Sequence, residues 1–155
     1  MPDTLLLECA ATLGVSMIPV LELRAAIPAG LAFGLDHSLV YMLAVIGNFI
    51  PVPAIMLFLR RVFAWLRRFQ WWEGKITWLE QRAHLKGRIV KKYRLLGLVL
   101  LVAIPLPGTG AWTGALVATI FDIRYRTALP CILLGVLIAG AITMGVSCGV
   151  ISLWF

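Results

Sequence analysis

The chain has 155 residues, of which 61% are hydrophobic and 14% are charged, and its mean hydropathy is +0.96. A soluble domain carries about 25% charged residues, so this composition argues against a soluble enzyme or nucleic-acid-binding protein and favours one membrane domain. The net charge is +7, and eleven of the 14 Lys and Arg residues lie within 60–94. Clustered Lys and Arg residues stay on the cytoplasmic side of a membrane. The cluster therefore predicts that residues 60–94 face the cytoplasm, and we expect no nucleic-acid partner.

Two long apolar stretches are each broken near the centre. The first, 5–35, would make about 46 Å of helix, which is too long for one crossing of a membrane core of about 30 Å and too short for two. Its interruptions are Pro19, Glu22, Arg24 and Pro28. The second stretch, 95–121, is interrupted by the prolines and glycines of 105–110. We therefore expect two re-entrant helical hairpins, the first with its tip near 19–25 and the second with its tip at 105–110.

Two further apolar runs are long enough to span a membrane once. Residues 38–59 form a run of 22 residues with two prolines near its centre, which predict a kink, and 127–154 form a longer run. In the second run, Gly145 and Gly149 follow Ala141 on one helix face of small residues. Such a face allows close helix packing, so a homo-oligomer is one expectation.

Residues 61–93 differ from the rest of the chain. Their apolar residues recur at spacings of three and four, four of the six Trp residues lie here, and basic residues lie off the apolar stripe. This pattern predicts one or two amphipathic helices on the cytoplasmic membrane surface. With 60–94 inside, the first hairpin enters and leaves from outside, the second from inside, and both termini lie outside.

The two halves of the chain match at a constant shift of 86 residues. Ile18 corresponds to Ile104 and Asp36 to Asp122, and each half has the order broken hairpin, acidic residue, full span. We expect an all-α membrane domain with an inverted repeat of two re-entrant hairpins and two transmembrane helices. Its parts are repeat 1 (4–60), the amphipathic connector (61–92) and repeat 2 (93–155). Inverted repeats whose broken helices meet near the midplane are typical of transporters.

Glu22 and Arg24 are the most informative candidate residues of the first tip. Placing either charged side chain at a bilayer centre costs at least about 2.5 kcal/mol, so charged residues there usually have a structural or functional role. They form either an ion pair that fixes the tip or a proton-titrating carboxylate beside a phosphate-binding guanidinium.

The opposite tip contains Pro107, Gly108, Thr109 and Gly110, and regular helix must stop there. Thr109 is expected to cap the following helix, whose N-terminus can bind an anion, although a purely structural turn is an equal alternative.

The remaining candidates lie outside the two tips. Asp36 and Asp122 are interpreted as helix-capping residues at the membrane boundary, with a proton path as the alternative. Arg124 and Arg126 anchor lipid head groups or receive a phosphate, and Asn48 hydrogen-bonds a hairpin. The two scattered histidines predict no metal site, and no cofactor is expected.

Two segments, IPVLELRAAIPAG at 18–30 and PLPGTGAWTG at 105–114, resemble the bacterial and archaeal family of small multidrug export proteins. That family is similar to the DedA/VTT superfamily. The resemblance implies paired re-entrant hairpins and, for several members, transport of polyprenyl phosphate or other phospholipids driven by the proton motive force. By position, Glu22 resembles the acidic residue of the first DedA hairpin, and Pro107 with Gly108 resembles the Pro-Gly of the second. The chain departs from that superfamily where its members have arginine in the second hairpin.

These observations favour a transporter over an enzyme. We expect it to lie in the inner membrane of a prokaryote. The expected partners are membrane lipids, a phosphorylated isoprenoid lipid such as undecaprenyl phosphate as substrate, and protons as coupling ions. One alternative is a proton-coupled exporter of small cationic drugs, which Arg24 beside Glu22 disfavours. Others are a lipid-pyrophosphate phosphatase, for which Ser16 and Thr109 are the candidate nucleophiles, and a structural protein without transport.

Overall fold

The computed structural model describes residues 2–66, 89–105 and 109–154, and the secondary structure within these ranges is helical. The helices are α1 (Pro2–Met17), α2 (Glu22–Ala32), α3 (His37–Phe49), α4 (Pro51–Leu66), α5 (Ile89–Ala103), α6 (Ala111–Ile120) and α7 (Tyr125–Trp154). The all-α prediction is thus confirmed for this part of the chain. Most of the predicted connector, together with Pro107 and Gly108, lies outside the described residues, and α4 and α5 extend into the connector at its two ends.

Both broken apolar stretches fold as pairs of packed helices. α1 and α2 are joined by the turn 18–21, and α5 and α6 by the longer segment 104–110. The first break lies earlier than predicted, because the Glu22 N–H still donates to the Ile18 carbonyl at 2.9 Å and α2 begins directly at Glu22.

Within the part of the chain that the structure describes, two helical segments are long and apolar enough to cross a membrane, namely His37–Trp65 and Tyr125–Gly149. The first comprises α3 and α4, which are separated only by Ile50. The break follows from Pro51 and Pro53, which have no N–H to donate to the preceding helical turn. This segment extends beyond the predicted limit at residue 59, because long arginine side chains are compatible with helix and can reach the membrane surface.

A close-packed glycine brings the first and third helices of each half together. A Cβ at Gly47 of α3 would lie 2.7 Å from the Leu13 carbonyl oxygen of α1. A Cβ at Gly135 of α7 would lie 3.0 Å from the Val99 carbonyl oxygen of α5. The partners Leu13 and Val99 are 86 residues apart, as predicted, whereas the two glycines are 88 apart. The halves therefore share a packing pattern whose register changes by two residues.

The ends of α2 and α6 show where the sequence alignment of the halves was wrong. Gly34 and Asp122 both have positive φ, at 81° and 49°. The next residue in each case donates its N–H five residues back, Leu35 to Gly30 and Ile123 to Ala118. Asp122 therefore corresponds to Gly34, and Asp36 corresponds to Arg124. The reason is the longer second tip, which a constant shift cannot accommodate.

Gly135 and Gly140 bring α7 close to its neighbours within the chain, and the predicted self-association through Gly145 and Gly149 stays a prediction. Gly135 packs on α5, and a Cβ at Gly140 would lie 2.9 Å from the Tyr41 ring of α3. In contrast, a Cβ at Gly145 or Gly149 would meet nothing within 4 Å in the described part of the chain. Small residues in the middle of α7 thus allow the close helix packing that stabilises membrane bundles.

Candidate functional site

Glu22 joins the two hairpins through its side chain. The residue is 6% exposed, and its carboxylate accepts the backbone N–H of Trp112 in the first turn of α6. It therefore caps the N-terminus of a helix that belongs to the other hairpin, where the helix dipole favours negative charge. Its φ of 49° lies in the left-handed region, which costs a residue other than glycine about 1 kcal/mol. Backbone strain of this kind often marks functional positions.

Gly110 makes room for this contact. A Cβ at position 110 would overlap the Glu22 carboxylate. The φ of Gly110 is 166°, an extended conformation that any residue adopts, so the requirement for glycine comes from the close approach. Gly110 is also the N-cap residue of α6 and contributes no side-chain cap, so Glu22 supplies it from the first hairpin.

Arg24 makes the second contact between the hairpins. Its Nη2 donates to the Thr109 carbonyl oxygen and to Thr109 Oγ1, the latter at 3.2 Å. The Thr109 hydroxyl in turn donates to the Ile104 carbonyl at 2.9 Å, which closes the second tip upon itself. The predicted capping of α6 by Thr109 is therefore wrong, because its hydroxyl points back along the chain. Arg24 also attracts the Glu22 carboxylate, so both charged side chains of the first tip take part in the contact with the second hairpin.

A cavity of about 670 Å³ lies beside the two tips, between α4 and α6. Its lining residues are mainly apolar: Pro19, Ala54, Ile55, Phe58, Leu59, Trp112, Thr113 and Leu116. The indole Nε1 of Trp112 is buried and has no hydrogen-bond partner within the described residues. Trp112 thus connects the site to the cavity, with its backbone bound by Glu22 and its side chain in the cavity wall. The cavity suits the apolar part of an organic molecule.

Asn48 is the most deeply buried amide of the described core. It is 1% exposed, and neither its Oδ1 nor its Nδ2 has a hydrogen-bond partner among the described residues. The predicted hydrogen bond from Asn48 to a hairpin is therefore wrong. An unpartnered buried polar group costs about 1–3 kcal/mol, so this amide needs a partner from outside the chain's own described groups.

Two hydroxyl residues on α1, one of which bonds to α3, are fully buried. Thr12 Oγ1 donates to the Glu8 carbonyl at 2.8 Å, and Ser16 Oγ donates to the Ala44 carbonyl of α3. From the sequence, Ser16 is predicted only as a candidate nucleophile, and Thr12 is not predicted as a functional residue. A signal was present, because Glu8, Thr12 and Ser16 are spaced by four and share one helix face.

The acidic residues at the membrane boundary have structural positions. Asp36 is the N-cap of α3, and its carboxylate accepts the Ser38 N–H at 3.0 Å and the Ser38 hydroxyl. These hydrogen bonds hold the pKa of the exposed Asp36 carboxyl below its usual range, so it stays ionised at neutral pH. The capping interpretation is confirmed for Asp36. Asp122 lies exposed in the turn after α6.

Four arginines gather at the other end of α6, about 15 Å from its N-terminus by the length of ten helical residues. Arg60 donates to the Ile123 carbonyl at 2.7 Å, and Arg94 donates to the Phe121 carbonyl at 3.4 Å. Arg124 and Arg126 lie exposed beside them at the start of α7. The predicted site residues therefore separate into a buried group at the tips and a cationic group at one end.

Comparison with known proteins places this site in a family. Residues 22–142 match the sequence model of the family described as "Putative small multi-drug export protein", and the match begins at Glu22 and covers more than three-quarters of the chain. No curated protein and no solved structure gives a significant match. The matched region contains Glu22, Arg24, the second tip, the cavity wall except Pro19, and the cationic end, and the chain therefore belongs to the small multi-drug export protein family.

Proposed function

We propose that the chain is a proton-coupled transporter that moves an anionic, amphiphilic lipid, such as a polyprenyl phosphate, across the inner membrane of a prokaryote. One observation carries the proposal: Glu22 and Arg24 of the first hairpin bind the start of α6 beside an apolar cavity of about 670 Å³. A guanidinium and a helix N-terminus are both groups that bind phosphate. The site therefore combines ligands for a charged head group with space for an apolar tail.

Competition between Glu22 and the substrate supplies the coupling. With Glu22 ionised, its carboxylate occupies the N–H group of Trp112 and attracts Arg24. When Glu22 takes up a proton, it loses the charge that holds it at the helix N-terminus. A phosphate then binds the vacated N–H groups and Arg24, and loss of the proton from Glu22 expels the phosphate. Each lipid carried is thus linked to one protonation cycle.

The tail of the lipid remains largely in the membrane. Phe58 and Leu116 in the cavity wall are 67% and 43% exposed, so the cavity is open at its side. A chain of methylene or isoprenyl groups enters from the bilayer while its head group moves between the tips. The burial of apolar groups in the cavity contributes about 25 cal/mol per Å² to binding.

The membrane arrangement that accompanies this function is an inverted repeat of two re-entrant hairpins and two full spans. The shared packing of Gly47 and Gly135 supports a repeat. The group of Arg60, Arg94 and their exposed neighbours at the α6–α7 turn supports placing that end in the cytoplasm, by the positive-inside rule. Both termini then lie outside.

Reconstitution of the full chain into liposomes tests the proposal. The assay measures flipping of a fluorescent polyprenyl phosphate with and without a pH gradient. We expect Glu22→Gln and Arg24→Ala each to lower flipping by about tenfold or more, the loss of one charge-assisted interaction of about 1.4 kcal/mol or more. Unchanged flipping in both variants overturns the proposed site.

Matched controls exist for both substitutions. Arg61→Ala removes an exposed arginine of α4, and Asp36→Asn replaces an exposed helix-capping carboxylate by an amide that also caps. Both are expected to transport at the rate of the unsubstituted protein. Equal losses in the controls would show that net charge, and not the tip site, governs flipping.

Export of small cationic drugs is the second candidate, and the family match favours it. The aromatic residues Trp112 and Phe58 in the cavity wall suit a lipophilic cation, with Glu22 as its counter-ion. Arg24 distinguishes the two functions because it attracts a phosphate and repels a cation. If Arg24→Ala preserves or increases uptake of a quaternary ammonium compound while Glu22→Gln abolishes it, the drug is the substrate.

A further inference from the structure

The buried polar residues of the described core all lie in the first half of the chain. They are Thr12, Ser16, Glu22 and Asn48. With the offset of 86 for α1 and 88 for α2 and α3, their counterparts in the second half are Leu98, Val102, Gly110 and Val136. Because residues without polar side chains satisfy the same packing in the second half, packing does not account for the polar groups of the first. These groups need a separate explanation.

The polar groups of α1 form a line on one helix face, and Ser16 of this line contacts α3. Glu8, Thr12 and Ser16 follow one another at single helical turns on α1, with Glu8 half-buried at the end remote from the tip. Ser16 Oγ donates to the Ala44 carbonyl, one turn before Asn48 on α3. Ser16 also lies two residues before Ile18, whose carbonyl accepts the Glu22 N–H.

The side chain of Asn48 is an independent observation, and it indicates that a small polar molecule is bound beside this line of polar groups. Its amide has two N–H donors and a carbonyl acceptor, it is almost fully buried, and it lacks a partner within the described residues. Water satisfies buried polar groups that the protein leaves unpaired, and it is small enough for a packed helix contact. Hydroxyls and bound water both donate and accept, so together they can relay protons.

We infer that Asn48 binds water that, together with the hydroxyls of Ser16 and Thr12, forms a proton path between Glu8 and Glu22. This inference rests on the proposed function in taking Glu22 as the coupling carboxyl. Protons move along the path by successive exchange between neighbouring hydrogen-bonded oxygens, and no covalent bond other than O–H forms or breaks. The second half, which has apolar counterparts, contributes no equivalent path among its described residues.

The groups around Glu22 are consistent with proton access from this side. Within the described residues, Arg24 supplies the charge that acts on the Glu22 carboxylate, and the N–H of Trp112 in α6 binds it. Neither can bring a proton to Glu22, since arginine stays protonated and the amide N–H does not titrate. The helices α1 and α3 pack against α2, and their buried polar groups are the hydroxyls of Thr12 and Ser16 on α1 and the Asn48 amide on α3.

Infrared spectroscopy of the full chain in lipid nanodiscs tests the path without a transport assay. The C=O band of protonated Glu22 is identified by its loss in Glu22→Gln, and its hydrogen–deuterium exchange is followed after a rapid change to D₂O. We expect Asn48→Val to slow this exchange by about tenfold or more, because one hydrogen-bonded step of about 1.4 kcal/mol is removed. Thr12→Val, which keeps the side-chain shape, gives a second variant with the same expected direction.

Thr119→Val is the matched control, because the Thr119 hydroxyl donates to the Ala115 carbonyl at 2.8 Å just as Thr12 donates to that of Glu8. This control is expected to exchange at the unsubstituted rate. Unchanged exchange in both Asn48→Val and Thr12→Val, or the absence of any Glu22 band that titrates, overturns the path. Slower exchange with no flipping of any lipid phosphate supports the path and rejects only the proposed substrate.

Discussion

The two halves of the molecule share their packing and differ in their polarity. Gly47 and Gly135 bring α3 and α7 against the first helix of each half in the same way. Yet Glu22 and Asn48 are buried in the first half where Gly110 and Val136 stand in the second. The comparison teaches that small residues define the scaffold in both halves, whereas buried polar side chains distinguish the first half from the second.

The shared packing can be broken most strongly at its glycines. Gly47→Ala and Gly135→Ala each place a Cβ against a backbone carbonyl, which cannot move alone, so each should lower the free energy of unfolding by about 3 kcal/mol. Equilibrium unfolding in mixed micelles measures the change. Gly145→Ala, where the Cβ meets open space, is the control and should change stability by less than about 1 kcal/mol. Equal costs at all three positions would contradict the shared packing.

The difference in polarity can be tested by moving a polar group into the second half. Val136→Asn buries an amide at a position whose counterparts of Thr12 and Ser16 are Leu98 and Val102. We expect a loss of about 2 kcal/mol in the free energy of unfolding, since the new amide lacks partners. Val136→Leu, an apolar change at the same site, shows the cost of altered shape alone. If Val136→Asn lowers the free energy of unfolding no more than Val136→Leu does, the second half does not require apolar residues at this position.

The contact between the tips is tested by a double-mutant cycle. Gly110→Ala displaces the Glu22 carboxylate from the Trp112 N–H and should cost about 1 kcal/mol, because the end of the Glu22 side chain can partly adapt. In a Glu22→Ala background the same substitution should cost almost nothing, since the overlapping group is absent. Additive effects in the two backgrounds would refute the capping contact. Gly97→Ala, with nothing near its Cβ, is a suitable single-site control.

The smallest expected effect has the opposite sign. Asn48→Val gives the first half the apolar residue of the second and should raise the free energy of unfolding by about 0.5–1 kcal/mol, because a buried polar group is removed. Thermal unfolding in detergent measures it as a higher Tm. A stabilised variant with slow proton exchange would be a trade of function for stability at one residue. A marked loss of stability would instead assign Asn48 a structural hydrogen bond.

The sequence predicted the elements of the fold better than their register. The length of the apolar stretches and their central prolines predicted both helix pairs, and the break before Glu22 is close to its predicted place. The predicted pairing of Asp36 with Asp122 is wrong because the second tip is longer than the first. The shift of 86 residues fits α1, but α2 and α3 correspond to the second half at a shift of 88. Conformation at Asp122, and not residue type, identifies its counterpart as Gly34.

The candidate site was predicted in composition but not in its contacts. The free-energy cost of a charged side chain in a membrane was sufficient to identify Glu22 and Arg24 as candidate site residues. That they bind the opposite hairpin could not be derived, since the contacts join residues 85 or more apart in sequence. Thr109 was predicted to cap the N-terminus of α6 because threonine is a common N-cap residue. Its hydroxyl instead donates to the Ile104 carbonyl after α5, a contact that depends on the shape of the tip.

The hydrogen bonds of Arg60 and Arg94 have a consequence for the chain between them. Both arginines bind carbonyls of one short turn, at Ile123 and Phe121. The gap between Arg60 and Arg94 is thereby set by groups outside the intervening chain. A loop of any sufficient length can close such a gap, and each doubling of its length costs only about 0.6 kcal/mol. A change in the length of the intervening chain should therefore leave the positions of these two arginines almost unchanged.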